Sequence, residues 1–343
     1  MSEELYPIGR IVDKNVFVIE REIATGGMGS VYEALLYGVE GFQKTVAIKT
    51  IRKDFVSDKD FLEMFIGEAK LVADLVHQNI VQIYQLGKMG DRYYIAMEYV
   101  NGINLHKFMA KHKELGIKTP IDLGTFIISR ICRGLEYAHS KCDKYGNLLN
   151  VVHRDISPKN IIISSEGEVK ITDFGIAKAR NLMKDREGEI LLGKIQYMSP
   201  EQAQFKTTDK RSDLFSLGIV AYELLTGVNI FATDVEDTTK ALENVITKNI
   251  PNPSKLNRDI PEALSNIIMK ALERDITKRY QDASAMGYDL EYFMYHKGYG
   301  PTIVTLEKYL RKLFPQLYLP PLKNLEKKPL SNPSSQTEKS SLK

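Results

Sequence analysis

The strongest constraint on this chain is the run His153-Arg154-Asp155-Ile156-Ser157-Pro158-Lys159-Asn160, followed thirteen residues after Asn160 by Asp173-Phe174-Gly175. A short segment holding Asp155 and Asn160, with a second carboxylate at a nearby strand end, gathers three oxygen-bearing side chains. Phosphoryl transfer needs such a set: a carboxylate that orients an attacking hydroxyl, and hard oxygen ligands for magnesium on a nucleotide. Asp and Asn also serve turns and caps, so each residue alone carries little. Their joint order and spacing carry much more.

The flanking sequence divides in two. From about Phe17 to Val100 it reads mainly as strands: Val46 to Ile51 is a β-branched run, and Ile80 to Leu86 and Tyr93 to Val100 follow. One helix interrupts them, with Phe61, Phe65, Glu68, Val72 and Leu75 at helical spacing. After Asn101-Gly102 the pattern turns helical, with long apolar helices at Phe126 to His139 and Leu214 to Leu225. Pro301 to Phe314 adds an amphipathic helix, with Leu306, Leu310, Leu313 and Phe314 on one side, expected to brace the larger part.

Composition is that of an ordinary globular protein: 43% hydrophobic, 27% charged, net charge +3. Nothing resembles the broad basic field of a nucleic-acid binder. Cys132 and Cys142 have no Cys/His cluster around them, so reduced thiols are expected. No apolar run approaches the ~20 residues needed to span a bilayer, and the start carries no signal-peptide pattern. A cytoplasmic location is expected.

Ile23-Ala24-Thr25-Gly26-Gly27-Met28-Gly29-Ser30-Val31 is glycine-rich, and glycines let backbone N–H groups approach phosphates. Lys49 lies in the β-branched run, where an ammonium is costly unless paired, and Glu68 on the inner helix face is its expected partner. With the Asp155, Asn160 and Asp173 motifs, these residues resemble the catalytic core of eukaryotic-type protein kinases. Ser157-Pro158 and Gly193-Lys194 resemble a bacterial serine/threonine subgroup of that family. The resemblance covers about Phe17 to Met294.

It implies an α+β, bilobal protein-kinase fold: a small β-rich lobe with one key helix, and a larger, mainly helical lobe. The expected divisions are a lead-in at 1–16, small lobe 17–100, large lobe 101–300, helical extension 301–319 and disordered tail 320–343. It further implies ATP and Mg²⁺ as cofactors. Ile23, Ala24, Gly26, Gly27, Gly29, Val31, Ala47 and Ile162 would line the nucleotide, and Lys49, fixed by Glu68, would hold its α- and β-phosphates. Met97 would gate a rear pocket, and the backbone of Glu98 and Val100 would bind adenine. Asn104 stands where the family often places a ribose contact, with helix capping an equal alternative. Asp155 would be the catalytic base; Asn160 and Asp173 the metal ligands. Glu201 would pair with Arg279, and Asp213 would brace the backbone at His153 and Arg154.

Several positions depart from the family. Ala24 replaces a glycine, and Ser157 stands where serine/threonine kinases commonly carry a lysine. Lys194 or Lys159 could restore the charge; the expectation favours Lys194 folding back towards Asp155. Residues 176–196 contain no Ser, Thr or Tyr, so the usual phosphate acceptor there is missing. Arg154 is then expected to meet Glu187 or Glu189, or to stay unpaired.

The resemblance implies a kinase acting on serine or threonine of protein substrates, with Ile176 pointing to threonine. It implies no nucleic acid, no membrane span, and a regulatory partner as one role for residues 301–343. The rival reading is a nucleotide-binding pseudokinase serving as an interaction module; a small-molecule kinase on the same fold is a third.

Overall fold

Alternation along Val46-Ala47-Ile48-Lys49 sends Val46 and Ile48 to one face of a strand and Ala47 and Lys49 to the other. In the computed structural model, which describes residues 10–12, 16–26, 29–51, 59–90, 92–174, 194–232 and 237–319, this run is β4 (Gln43–Thr50). It sits inside a sheet of β1 (Arg10–Val12), β2 (Val16–Gly26), β3 (Gly29–Tyr37), β4, β5 (Ile83–Met89) and β6 (Arg92–Glu98). Their order across the sheet is β1-β2-β3-β4-β6-β5, and every pairing is antiparallel.

The two faces of β4 build two cores. Val46 and Ile48 pack with Phe17, Ile19, Tyr32, Ala34, Tyr94 and Ala96 on the outer face. Ala47 packs with Ile95 and Met97 on the inner face, under Phe65 and Ala69 of α1 (Lys59–Ala73). The helix therefore covers the face that carries Lys49. The side chain of Glu68, also on α1, lies outside the described residues.

The strand expected from Ile80 begins only at Ile83. Asn79 to Val81 turn instead to the larger lobe: Val81 N donates to Ile171 O (2.9 Å) and Ile171 N to Asn79 O (2.9 Å). A β-branched run can pair with whichever edge it meets, and here that edge belongs to the second sheet. That sheet holds β7 (Gly102–Asn104), β8 (Ile161–Ser164) and β9 (Val169–Ile171).

Helices form the rest: α2 (Leu105–Leu115), α3 (Ile121–His139), α4 (Pro200–Ala203), α5 (Lys210–Thr226), α6 (Thr238–Thr247), α7 (Pro253–Leu256), α8 (Glu262–Ala271), α9 (Ala283–Tyr295) and α10 (Ile303–Leu313). The apolar faces of α3 and α5 meet in one large core with Ile131, Leu135, Leu214 and Leu217 fully buried. α5 is buried nearly all round, so it acts as the keel of this lobe.

The C-terminal helix α10 starts on a Thr302/Thr305 capping box and buries Leu306, Leu310 and the following Phe314. It lies against α2, where the Tyr309 hydroxyl and His112 Nε2 are 2.8 Å apart. It also packs on the β8–β9 turn: a Cβ on Gly167 would come 2.2 Å from Ile303 O, and the Tyr318 hydroxyl donates to Ser165 O (2.7 Å). The extension is a brace on the larger lobe, at the side that carries the inter-lobe connection. Among the described residues, no helix is long and apolar enough to cross a membrane.

Candidate active site

The cleft between the lobes is roofed by the β2–β3 hairpin. Gly26 pairs with Gly29 across the turn, and Ala24 with Val31; Gly27 and Met28 lie outside the described residues. Gly29 is required sterically, because a Cβ there would meet Thr50 O at 1.8 Å. Space around Gly26 is open, so any demand for glycine there comes from what enters the cleft. Ala24 is accommodated as an ordinary strand residue, with the Thr25 and Ser30 hydroxyls joined across the hairpin at 2.8 Å.

Five of the residues expected at the nucleotide, Val31, Ala47, Met97, Val100 and Ile162, converge in one apolar cluster that spans both lobes. Ile23 stands at the exposed rim. Behind Met97 lies a cavity of ≈ 30 Å³, whose lining includes Phe65, Val72 and Phe174 as well as Lys49 and Asp173. Met97 is one of its lining residues. The volume suffices for about one water.

Lys49 Nζ is bound to Asp173 Oδ1, with the two side chains only 13% and 25% exposed. The expected partner, Glu68, cannot be placed beyond its position on α1. Phe174, buried under that helix, packs on His153 with ring centroids 4.6 Å apart.

His153, fully buried, links the two motifs. Its Nδ1 accepts from Asp155 N (3.2 Å) and its Nε2 lies 3.0 Å from Thr172 O, an arrangement met by the neutral ring protonated at Nε2. Asn160 Nδ2 donates to Asp155 Oδ2 (3.0 Å) and to Asp155 O (2.8 Å). Thr172 N donates to Asn160 O (2.9 Å), so the Asp155/Asn160 segment is tied directly to the residue before Asp173. With its amide hydrogens spent on Asp155, Asn160 keeps Oδ1 for a cation. A carboxylate and an amide oxygen suit magnesium, so the residues fit that ion.

Below this loop, Asp213 accepts from His153 N (2.8 Å), Arg154 N (2.7 Å) and His139 Nε2 (2.8 Å). Burial alone would raise its carboxyl, but the His139 contact and the backbone donors outweigh this and hold it below the ordinary aspartate range. These bonds fix Arg154 in a left-handed conformation (φ 62°), which Asp173 shares (φ 62°). Two non-glycine residues so constrained, one in each motif, mark segments held by their surroundings.

The hinge residue Glu98 spends its N–H on Gln82 O (2.8 Å), while its carboxylate meets Lys170 of β9 at 2.9 Å. Asn104 caps α2, its Oδ1 accepting from Lys107 N (2.9 Å), which is the capping role weighed in the sequence. Glu201 and Arg279 pair as expected: Nη1 donates to Oε1 (2.7 Å) and Nη2 to Oε2 (3.2 Å). Desolvation pushes the Glu201 carboxyl up, but its bonds to Arg279 prevail and leave it below the usual glutamate range.

Lys159 is exposed on the turn Pro158–Asn160, and Lys194 accepts Tyr197 N (2.9 Å) at its backbone oxygen. Glu187, Glu189 and Ile176 lie outside the described residues. Among the described residues, Arg154 Nε donates to Thr208 Oγ1 (3.2 Å). Two residues escaped the sequence reading. Gln202 donates to Arg154 O (2.9 Å) and accepts from Ser199 N (2.9 Å), joining the substrate-facing loop to the catalytic loop. Its signal was present, since Ser199-x-x-Gln202 is a capping-box pattern. Lys170, a lysine flanked by Val169 and Ile171, gave the same cue as Lys49.

Comparison with known proteins places this geometry. The family described as the protein kinase domain matches residues 17–290. The tyrosine-protein kinase MasK of Myxococcus xanthus is 38% identical over 300 residues, covering 87% of this chain and 46% of MasK. The serine/threonine-protein kinase PrkC of Bacillus subtilis is 37% identical over 275 residues, covering 80% of this chain and 40% of PrkC. This chain therefore spans less than half the length of these two relatives. Among solved structures, the kinase domain of Mycobacterium tuberculosis PknI superposes with a TM-score of 0.59 over 80% of this chain and 94% of that one. At 22% identity it shows the shared fold.

Proposed function

The chain belongs to the protein kinase domain family, and from that premise we propose that it transfers the γ-phosphate of ATP to serine or threonine hydroxyls of proteins. The observation that carries this reading is the single bonded network joining Asp155, Asn160, Thr172 and the Lys49–Asp173 pair at the mouth of the cleft. Asp155 orients the attacking hydroxyl and takes its proton. Lys49 leaves Asp173 to hold the α- and β-phosphates once nucleotide enters, with Glu68 fixing it there. Gly26, Gly27 and Gly29 let the roof close on the phosphates. Val31, Ala47 and Ile162 sandwich adenine, and the backbone of Glu98 and Val100 binds its edge. Magnesium held by Asn160 and Asp173 would neutralise charge on the transferring phosphate.

Ser157 leaves the catalytic loop without its usual cation, and Lys194 supplies it, with Lys159 as the weaker substitute. Serine/threonine preference draws support from PrkC and further relatives named as serine/threonine kinases. Tyrosine is the second reading, favoured by the name of MasK. The interaction-module alternative finds no support in these names. Residues 17–100 and 101–300 act as the two working lobes in the cytoplasm, and residues 301–343 are the place for a regulatory partner.

The test is transfer of labelled γ-phosphate from MgATP to a generic basic protein, comparing the chain with Asp155→Asn. Transfer lost in the variant, with label recovered on serine or threonine after acid hydrolysis, supports the proposal. Transfer that survives Asp155→Asn refutes it, and label on tyrosine favours the second reading.

A further inference from the structure

Among the described residues, Arg154 meets a hydroxyl and no anion. Its backbone is pinned at both ends, N to Asp213 and O to Gln202, and among the described residues its side chain makes no ion pair. The guanidinium bond given by these residues goes to a hydroxyl, Thr208 Oγ1. An uncharged partner leaves most of the donor capacity of a guanidinium unused.

Thr208 stands in a distinctive stretch. Residues 204–209 link α4 to α5 without regular structure, and Phe205, 68% exposed, takes φ 55° there. A bulky side chain in that region is strained, and such strain gathers at functional segments. Lys206 and Thr207 are exposed and Thr208 is half-buried, so the loop is presented outward. Asp209 then caps α5, accepting Arg211 N (2.8 Å), and its charge is already engaged by the Arg211 side chain (2.7 Å). A phosphate on Thr208 would meet the Arg154 guanidinium on one side and the N-terminal end of a 17-residue helix on the other.

The hydroxyls of the substrate-facing loop itself are missing or taken. Residues 176–196 contain none. The Tyr197 hydroxyl donates to Glu223 (2.6 Å) and is buried, and Ser199 is fully buried in its capping box.

We infer that Thr208 is a phosphorylation site of this chain, modified by a second copy and read by Arg154. The inference rests on the kinase reading above. Thr208 Oγ1 attacks the γ-phosphorus, the new O–P bond forms as the β–γ bridging bond breaks, and ADP leaves with that electron pair. The hydroxyl proton passes to Asp155 of the copy that holds the ATP. A second copy is required because Thr208 sits between Arg154 and the cap of α5, fixed to its own catalytic loop. Once made, the phosphate ties that loop to α5 beside the existing Asp213 anchor, stiffening the segment that carries Asp155.

The experiment mixes the active chain with a tagged Asp155→Asn chain, MgATP and a generic basic protein, and maps phosphosites by mass spectrometry. Phosphate on Thr208 of the Asp155→Asn chain is expected. Phosphorylated wild type should transfer about fivefold faster than phosphatase-treated wild type or Thr208→Val. The phosphate should also raise the melting temperature of Asp155→Asn by about 2–4 °C, and not that of Asp155→Asn/Arg154→Gln. Transfer to the basic protein with no phosphate on Thr208, or with Thr207 alone modified, overturns the inference and leaves the kinase reading standing. No transfer to either acceptor overturns both.

Discussion

Breaking the Glu201–Arg279 pair gives the sharpest quantitative test of this architecture. Arg279 has a side chain with no exposed surface, and Glu201 is 10% exposed. Glu201→Ala leaves Arg279 with two carbonyl acceptors, Arg211 O and Glu273 O, and the Phe215 ring, but no counter-charge. Arg279→Ala leaves Glu201 with the Ser212 hydroxyl (2.7 Å) and its own backbone N–H, but no counter-charge. Each truncation should cost about 3–5 kcal/mol, because an unpaired charge stays buried. That is a large part of the ~5–15 kcal/mol that keeps a domain folded. The double variant buries no unpaired charge, so its cost should fall short of the summed single costs by about 2–3 kcal/mol. Urea unfolding of the four proteins measures this coupling. Additivity within about 0.5 kcal/mol would refute the argument, showing that the pair is a bystander to local packing. The pH dependence adds a signed check. Glu201 is held below its unfolded value of about 4.3, so the pair's stabilisation is full above that pH and is lost as pH falls through the lower folded value. The stability gap between wild type and Glu201→Gln should therefore stay constant from neutrality to about pH 5 and narrow below it.

Three further outcomes are expected. Gly29→Ala should lower the melting temperature and raise KM for ATP, since its Cβ would meet Thr50 O at 1.8 Å, whereas Gly26→Ala should leave melting unchanged. Leu310→Ala should cost about 2–5 kcal/mol by urea unfolding, because Leu310 is fully buried between the extension and the larger lobe. Lys194→Ala should lower kcat about tenfold; a loss within about threefold, under ~1 kcal/mol, would remove Lys194 from the chemistry.

The parts of this molecule that follow local rules were legible in the sequence. Period-two alternation located β4 and the inward face of Lys49, and helical spacing located α1 and α10. The paired Glu201 and Arg279 could be named because a resemblance supplied a contact that spacing could not. Where the reading missed, a distant segment had intervened. Ile80 and Val81 look like the start of a strand, but the hydrogen bonds of the flanking Asn79 O and Val81 N go to Ile171, about ninety positions away in the chain. Lys49 binds Asp173 from the other lobe, a contact that no local spacing announces, while the side chain of its expected partner Glu68 lies outside the described residues. Glu98 was assigned by its backbone alone, and only the fold shows Lys170 bound to its carboxylate. The Tyr309–His112 contact joins residues 197 apart, beyond any periodicity.

The catalytic loop also explains why α5 is so apolar. Left-handed Arg154 and Asp173 each carry a conformational cost of about 1–2 kcal/mol. Local sequence does nothing to relieve it, since neither residue is glycine. Relief comes from Asp213, whose carboxylate gathers the N–H groups of His153 and Arg154, and from His153, which spans Asp155 N and Thr172 O. Asp213 can do this only if α5 does not shift. That helix is packed on almost every side, by α3, by α8 and by the Phe215–Phe231 stack at 6.3 Å. A carboxylate ionised in such a place would be costly alone, yet three donors converge on it and keep it charged. The buried keel therefore sets the position of the loop above it. Substitutions that loosen α5 far from the cleft should slow transfer before they unfold the protein.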